Sequence, residues 1–469
     1  MGAVIRFILN NVLVETNAPA GMVVLDFIRR NRRLLGTKIG CREGDRGACT
    51  VLIGSVEAQG LAYRSMTSCL MPLANMEGKH LVTVEGLNRE VLTPVQRAIV
   101  EEGGTQCGFC TVGFVVSLAG WSLSRHAPTL SEGIAAMDGN ICRCTGYKSL
   151  QRAAARICTD LANKPKEQPI PWLVEQGFLP EYFRDIPQRL AELTLVPSPQ
   201  PDGSVILGGG TDLFVQKPDD LRHAHVSTLF DAPQLKGIRQ DDQQVILGGG
   251  TTVEEIKRSP LLQGLFPSLE SYMRLVSSTP IRNMATVAGN FVNASPIGDM
   301  TVFFLALDTQ LTLDNGHQQR SVPLRGFYKG YKQIDLAPGE WISKLQFTAP
   351  GPDDHFNFEK VSKRQHLDIA SVNSAASLRV DDSIIVSASL SAGGVAPIPF
   401  FLAQTSAWLA GKLLNEQTIR EAGLRAMQEC APISDARGTA DYKRLLLRQL
   451  IYAHFICLFP QAAALEALV

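Results

Sequence analysis

No stretch of this chain approaches the roughly 20 consecutive apolar residues that cross a bilayer, so a membrane-spanning role finds no support. Net charge is missing as well: 45 Lys and Arg stand against 45 Asp and Glu. Without that imbalance there is no electrostatic footprint for nucleic acid or for an anionic membrane. Met1 to Glu15 lacks the apolar core and cleavage site of a secretory signal, and a cytoplasmic location is expected. Also absent is Gly-x-Gly-x-x-Gly, so a Rossmann domain is not indicated. Charged residues make up 19% and apolar residues 45%, which is ordinary for a soluble globular protein. At 469 residues the chain is too long for one core, and several domains are expected.

Cysteine, by contrast, is clustered. Cys107 and Cys110 form Cys-x-x-Cys, and after a long gap Cys142 and Cys144 form Cys-x-Cys. Four thiolates in two close pairs make an iron–sulfur site or, as the rival, a zinc site. A disulfide is disfavoured in a reducing compartment. Gly108 clears space where backbone must approach a metal, and a helix start there offers N–H donors to thiolate. An upstream set, Cys41, Cys49 and Cys69, looks like the plant-type ferredoxin pattern, whose second ligand would fall at position 46. Position 46 is Arg46, and a guanidinium has no lone pair for iron. Cys158, Cys430 and Cys457 lie in helix-like segments and read as small buried hydrophobes.

Val4 to Leu9 reads as a strand with Asn10-Asn11 as its hairpin turn, and Val23 to Arg33 as a helix. Thr93 is an N-cap with Pro94 in the first turn. Further helices are expected over Thr111 to Ser124, Ser131 to Met137 and Ser149 to Leu161. Asn163 to Pro171 holds three prolines and reads as an extended, exposed linker, the first site of proteolysis. Val-Ile-Leu-Gly-Gly-Gly-Thr occurs twice, at 205–211 and 245–251. A strand running into three glycines and a helix suits a phosphate cradle, although a plain tight turn is the commoner explanation. Beyond residue 356 the pattern changes, with a strand over Ile384 to Leu390 and a helix over Ala440 to Phe459.

Gln106-Cys107-Gly108-Phe109-Cys110-Thr111 and Asn140-Ile141-Cys142-Arg143-Cys144-Thr145-Gly146-Tyr147 resemble the helical [2Fe–2S] domain of the molybdenum hydroxylases. Val112 departs from the family's usual proline. Gly36 to Val51 resembles the family's ferredoxin-type loop, with Cys69 as its last ligand and Arg46 in place of the remaining one. Three readings stand there: a ligand removed, a cluster on three thiolates with a substitute ligand, or an empty loop with Arg46 paired to Glu43 or Asp45. Leu207-Gly208-Gly209-Gly210-Thr211-Asp212 resembles the family's FAD pyrophosphate loop, and the second copy its structural turn. By the same resemblance Thr286, Asn290 and Asp299 would contact FAD, Lys360 would reach the flavin ring, and Tyr331 would lie beside the nicotinamide site. Val276 stands where vertebrate members stack a phenylalanine, and Leu367 where they have an acidic residue.

The resemblance implies a multidomain α+β protein. Its parts would be a β-grasp ferredoxin-like domain (1–85), a four-helix [2Fe–2S] domain (86–162) and a linker (163–186). An α+β FAD-binding domain of the vanillyl-alcohol-oxidase/PCMH-like type (187–355) and a C-terminal α+β flavoprotein subdomain (356–469) would follow. This fused arrangement is similar to the small subunits of bacterial xanthine dehydrogenases. It implies electron relay from molybdopterin on a larger partner subunit, through [2Fe–2S] clusters and FAD, to NAD, in a dimer of heterodimers. Two other readings remain: a flavin-loaded scaffold whose relay is broken at Arg46, and a subunit of an aldehyde or N-heterocycle hydroxylase.

Overall fold

The computed structural model describes residues 4–193, 205–364 and 366–462. Met1 to Ala3, Gln365 and the last residues of the C-terminal subdomain lie outside them. The chain packs as two compact units, Met1–Phe230 with Ser278–Ala285, and Asp231–Ser277 with Thr286–Val469.

In the first unit, β1 (Ile5–Leu9) and β2 (Val12–Thr16) form the expected hairpin. Its turn works because Asn10 adopts a left-handed conformation, φ 53°, which Asn tolerates better than most residues. β3 (Thr50–Glu57), β4 (Gly60–Thr67) and β5 (His80–Val82) complete a sheet in the order β2-β1-β5-β3-β4. β1 runs parallel to β5, and the other pairs are antiparallel. The segment expected as a helix forms Val24–Asp26 and widens into a π turn over Phe27–Asn31. Phe7, Phe27, Val51 and Leu81 bury the face between them. This is the β-grasp arrangement.

Four helices follow: Pro94–Glu101, Thr111–Leu123, Leu130–Ala136 and Lys148–Asp160. Thr93 caps the first with a complete capping box through Gln96, a motif contributing about 1 kcal/mol. Phe114, Leu118, Leu150 and Ile157 close their core. The next segment corrects the linker reading. Pro169–Glu175 is helical, and Ile170, Leu173, Val174, Phe178 and Phe183 are buried in the same core. Pro169 occupies a first-turn position, where its missing N–H has no cost. Lys164, expected as solvated, is buried and donates to the carbonyls of Ser122 (3.1 Å) and Ser124 (2.5 Å) that end the helix Thr111–Leu123. The first repeat copy supplies β6 (Val205–Leu207), parallel to β7 (Val226–Thr228).

In the second unit, β8 (Ile238–Asp241), β9 (Gln244–Gly248), β10 (Gln310–Asp314), β11 (Gln319–Pro323) and β14 (Trp341–Thr348) form a sheet in the order β11-β10-β14-β9-β8. The second repeat copy is β9. A small hairpin, β12 (Tyr328–Gly330) and β13 (Gln333–Ile334), precedes β14. Phe266, Phe303, Phe304, Phe347, Phe356 and Phe358 pack edge to face and tilted in the core. A further antiparallel sheet comprises β15 (Asp354–Val361), β16 (Val372–Asp381), β17 (Ile384–Gly393) and β18 (Phe400–Phe401). The helix Ala440–Leu458 packs on β15 and β16. Among the three remaining cysteines, Cys430 is buried and Cys158 half-buried, but Cys457 is exposed on that helix, which corrects the expectation for it.

Candidate cofactor sites

The helical cysteines meet in pairs. Cys107 and Cys144 stand sulfur to sulfur at 3.8 Å, and Cys110 is hydrogen-bonded to Cys142. A tetrahedral ion with metal–thiolate bonds of about 2.3 Å sets two thiolates about 3.8 Å apart. Among the described residues no three His, Cys, Asp or Glu side chains converge as ligands of a single ion. Two close pairs of thiols are the arrangement that the two irons of a [2Fe–2S] cluster require.

Local backbone makes this geometry. Cys110 opens the helix Thr111–Leu123, and Gly108 and Gly146 turn with positive φ. Tyr147 does the same at φ 67°, and its hydroxyl accepts from the Cys142 N–H at 3.1 Å. Burial pushes the Cys110 thiol up to about 12. Burial acts the same way on Cys142, but the Thr145 hydroxyl (3.2 Å) and nearby N–H groups outweigh it and hold that thiol below its ordinary value. Cys107 and Cys144 are exposed.

The ferredoxin-type loop is half of such a site. Cys49 and Cys69 are buried and 3.4 Å apart. They titrate as a pair: their shared hydrogen bond holds Cys49 low and pushes Cys69 up. Cys41 accepts from the N–H groups of Glu43 (3.4 Å) and Asp45 (3.3 Å). Arg46 is exposed. Its neighbour Arg42 bonds Asp26 at 2.6 Å. Ile141 N–H donates to the Arg46 carbonyl (3.2 Å), and the Asn140 side chain donates to Gly47 (3.2 Å) while accepting from Ser117 (2.8 Å). The two cysteine loops are thereby joined.

Within the loop 207–212, the amides of Gly208, Gly209, Gly210 and Thr211 have no acceptor among the described residues, although Gly209 and Gly210 are buried. A Cβ on Gly209 would stand 1.9 Å from the Met284 carbonyl oxygen. Buried N–H groups are nearly always satisfied. Successive free ones form an anion-binding nest, and their donor set fits a pyrophosphate.

In the second unit, Asp299 begins the helix Asp299–Ala306, where a carboxylate is favoured. One oxygen accepts from Lys360 Nζ at 2.7 Å and the other from Asn373 Nδ2 at 2.6 Å. Lys360 also donates to the Leu275 carbonyl at 2.7 Å, and its side chain is 2% exposed. The charges offset each other in a site with little water. Asn373 is a residue that sequence reasoning missed; its one signal was an Asn amid small apolar residues in a strand. Thr286 caps the helix Val287–Asn293, and Asn290 accepts from Thr301. Tyr331 is 63% exposed beyond β12. Leu367 is buried with φ 52°, its N–H on the Ser277 carbonyl, and Val276 is buried.

Paired cysteines and free glycine amides define an iron–sulfur and flavin protein. The "[2Fe-2S] binding domain" family model matches residues 83–155. The "FAD binding domain in molybdopterin dehydrogenase" matches 182–349, and the "CO dehydrogenase flavoprotein C-terminal domain" matches 358–458. Xanthine dehydrogenase of Emericella nidulans is 28% identical over 98% of this chain, and aldehyde oxidase 4 of Cavia porcellus 26% over 96%. The chain spans only 39% of the length of each of these curated relatives. Reconstituted CO dehydrogenase from Oligotropha carboxidovorans superposes with a TM-score of 0.52 at 26% identity, over 56% of this chain and 91% of that one. The chain is thus similar, over these matched parts, to the iron–sulfur and FAD-binding region of the molybdenum hydroxylases.

Proposed function

We propose that this chain is the electron-transfer subunit of a xanthine dehydrogenase-type enzyme, the small subunit of a bacterial type. It works with a larger molybdopterin-binding subunit in a dimer of heterodimers in the cytoplasm. Its domains are those expected from the sequence, with 163–186 folded onto the helical domain. The carrying observation is the run of unpartnered amides at Gly208 to Thr211 beside a complete set of paired cysteines.

Cys107, Cys110, Cys142 and Cys144 would hold one [2Fe–2S] cluster, and Cys41, Cys49 and Cys69 part of another. Leu207 to Asp212 would cradle the pyrophosphate of FAD, with Thr286, Asn290, Asp299 and Lys360 along the rest of the cofactor and Tyr331 at the NAD side. When bound, these cofactors would carry electrons from hypoxanthine or xanthine oxidation at the partner's molybdenum to NAD⁺. The chain's residues position and insulate. Cys107 and Cys144 are exposed, so a cluster held by them would be open to short electron transfer from a partner. Asp299 accepts a hydrogen bond from the Lys360 ammonium, so the lysine is held in one position, as a neutral ion pair, where it would meet a bound flavin.

No side chain here acts as acid or base on a purine. The chain purified alone should carry FAD and iron and reduce artificial acceptors with NADH, yet leave hypoxanthine unchanged until a molybdopterin subunit is added. Hypoxanthine hydroxylation by the lone chain would sink the division of labour. Similarity to aldehyde oxidase 4 supports a second reading, in which the partner's substrate is an aldehyde or N-heterocycle; substrate turnover by the reconstituted pair separates the two.

A further inference from the structure

One buried side chain of the ferredoxin-like domain reaches the glycine loop. Asn75 lies in the short helical turn Leu73–Met76, is 2% exposed, and donates from Nδ2 to the Gly208 carbonyl at 3.3 Å. Its amide has one consistent orientation. The Phe230 N–H donates to the Thr228 hydroxyl at 3.3 Å, so that hydroxyl gives its own proton to Asn75 Oδ1. The Nδ2 protons are then left for Gly208. The turn that carries Asn75 is itself pinned: the Leu73 N–H donates to the Met22 carbonyl at 2.8 Å and the Ala74 N–H to that of Ala20 at 3.0 Å. Two further carbonyls wall the loop. A Cβ on Gly210 would stand 2.7 Å from the Leu70 carbonyl oxygen, as one on Gly209 would 1.9 Å from that of Met284. Leu70 adjoins Cys69 in the chain.

The Gly208 carbonyl and the Gly209 N–H belong to one planar trans peptide, so they point to opposite sides of the chain. Tying the carbonyl to Asn75 therefore turns the Gly209 N–H away from Asn75. That N–H is buried and has no acceptor among the described residues. A peptide between two glycines otherwise rotates with little steric cost, and its other orientation would present an oxygen where an anion needs a donor. We propose that Asn75, oriented by Thr228, is a positioning residue of the phosphate site, acting through the Gly208–Gly209 peptide to keep the Gly209 amide available to a pyrophosphate. The ferredoxin-like domain thereby builds one wall of the flavin site. The proposal rests on reading residues 207–212 as the pyrophosphate loop, and it adds to that loop a residue far outside the flavin-binding segments.

The test uses the full chain, stripped of flavin, titrated with FAD by fluorescence quenching and with inorganic pyrophosphate in competition. The unaltered chain should bind both. Asn75→Ala should raise the dissociation constant of each by the same factor, roughly tenfold, the worth of one hydrogen bond. Asn75→Asp keeps the shape but sets an oxygen against the Gly208 carbonyl, and should weaken both probes further. Thr228→Val should act in the same direction by a smaller factor, and Thr228→Ser, which keeps the hydroxyl, should restore binding. An asparagine that served stability alone would lower the thermal midpoint and leave both constants of the folded protein unchanged; that result overturns the proposal. Should Asn75→Ala not fold, the Thr228 pair decides, and equal pyrophosphate constants in Thr228→Val and Thr228→Ser overturn it. FAD that pyrophosphate does not displace from the unaltered chain, or no binding of either, would instead overturn the pyrophosphate-loop reading beneath it.

Discussion

The same seven residues, Val-Ile-Leu-Gly-Gly-Gly-Thr, do opposite work in their two copies. At 245–251 the strand is interior to a five-stranded sheet, and every following amide is spent. Gly248 donates to Gly237, Gly249 to Ser343, Gly250 to Leu235 and Thr251 to Gly248. Lys236 caps the Gly250 carbonyl at 2.7 Å, and Thr252 opens a helix with a full capping box. At 205–211 the strand pairs, among the described residues, with a single parallel neighbour, and there the amides of the glycines and Thr211 stay unspent. A glycine-rich loop is thus not a phosphate site by composition. It becomes one when the surrounding sheet leaves its N–H groups unclaimed.

Glycine-to-alanine exchange should break this contrast most severely. Gly249→Ala would put a Cβ 2.0 Å from the Ile342 carbonyl, and Gly209→Ala one 1.9 Å from the Met284 carbonyl. Each forces backbone movement, and we expect each to cost about 3 kcal/mol, the upper range of overpacking. Only Gly209→Ala should also lower FAD per folded protein, read as the ratio of flavin to protein absorbance. Flavin loss from folded Gly249→Ala would erase the distinction.

Acid carries the comparison to the units that hold the copies. His80 in the first unit and His454 in the second are fully buried, and burial pushes each down to about 3. Unfolded, each returns to about 6.5. Between these values the unfolded chain binds more protons, so stability falls as pH drops from about 6.5 toward 3, and neither histidine contributes a slope above that window. The slope is at most about 1.4 kcal/mol per pH unit for each. Urea midpoints at pH 7 and pH 5 measure it, and His454→Asn should flatten it. An unchanged slope in that variant would rule out His454 as a source.

The smallest effect sharpens the second copy alone. Thr252→Ala should cost about 1 kcal/mol by removing the cap on Glu255 N–H, with flavin content untouched. A thermal melt beside the absorbance ratio checks both halves of that statement.

Local signals were legible where the cause is local. Thr93 with Pro94, the Asn10 turn and the helix after Cys110 all follow from caps, turns and glycine conformations. The error at 163–186 came from reading prolines as breakers, when Pro169 sits in a first helical turn and the apolar Ile170, Leu173 and Val174 face a core. The cysteine spacing conveyed a metal site but not which sulfurs pair, because Cys107 meets Cys144 across most of a domain. Nor could any local pattern have paired Asn373 with Asp299, since their contact spans 74 positions. The two repeat copies are identical as text, and only tertiary hydrogen bonding tells them apart.

The bridge from Asn140 to Gly47, with Ile141 on the Arg46 carbonyl, has a consequence for assembly. Two loops 93 residues apart share one set of hydrogen bonds, so neither opens without releasing the other. The Ile141 amide should therefore exchange with deuterium at the pace of the ferredoxin loop and not of the helices that flank it. The first loop should therefore reach its final shape only once the helical domain has folded against it.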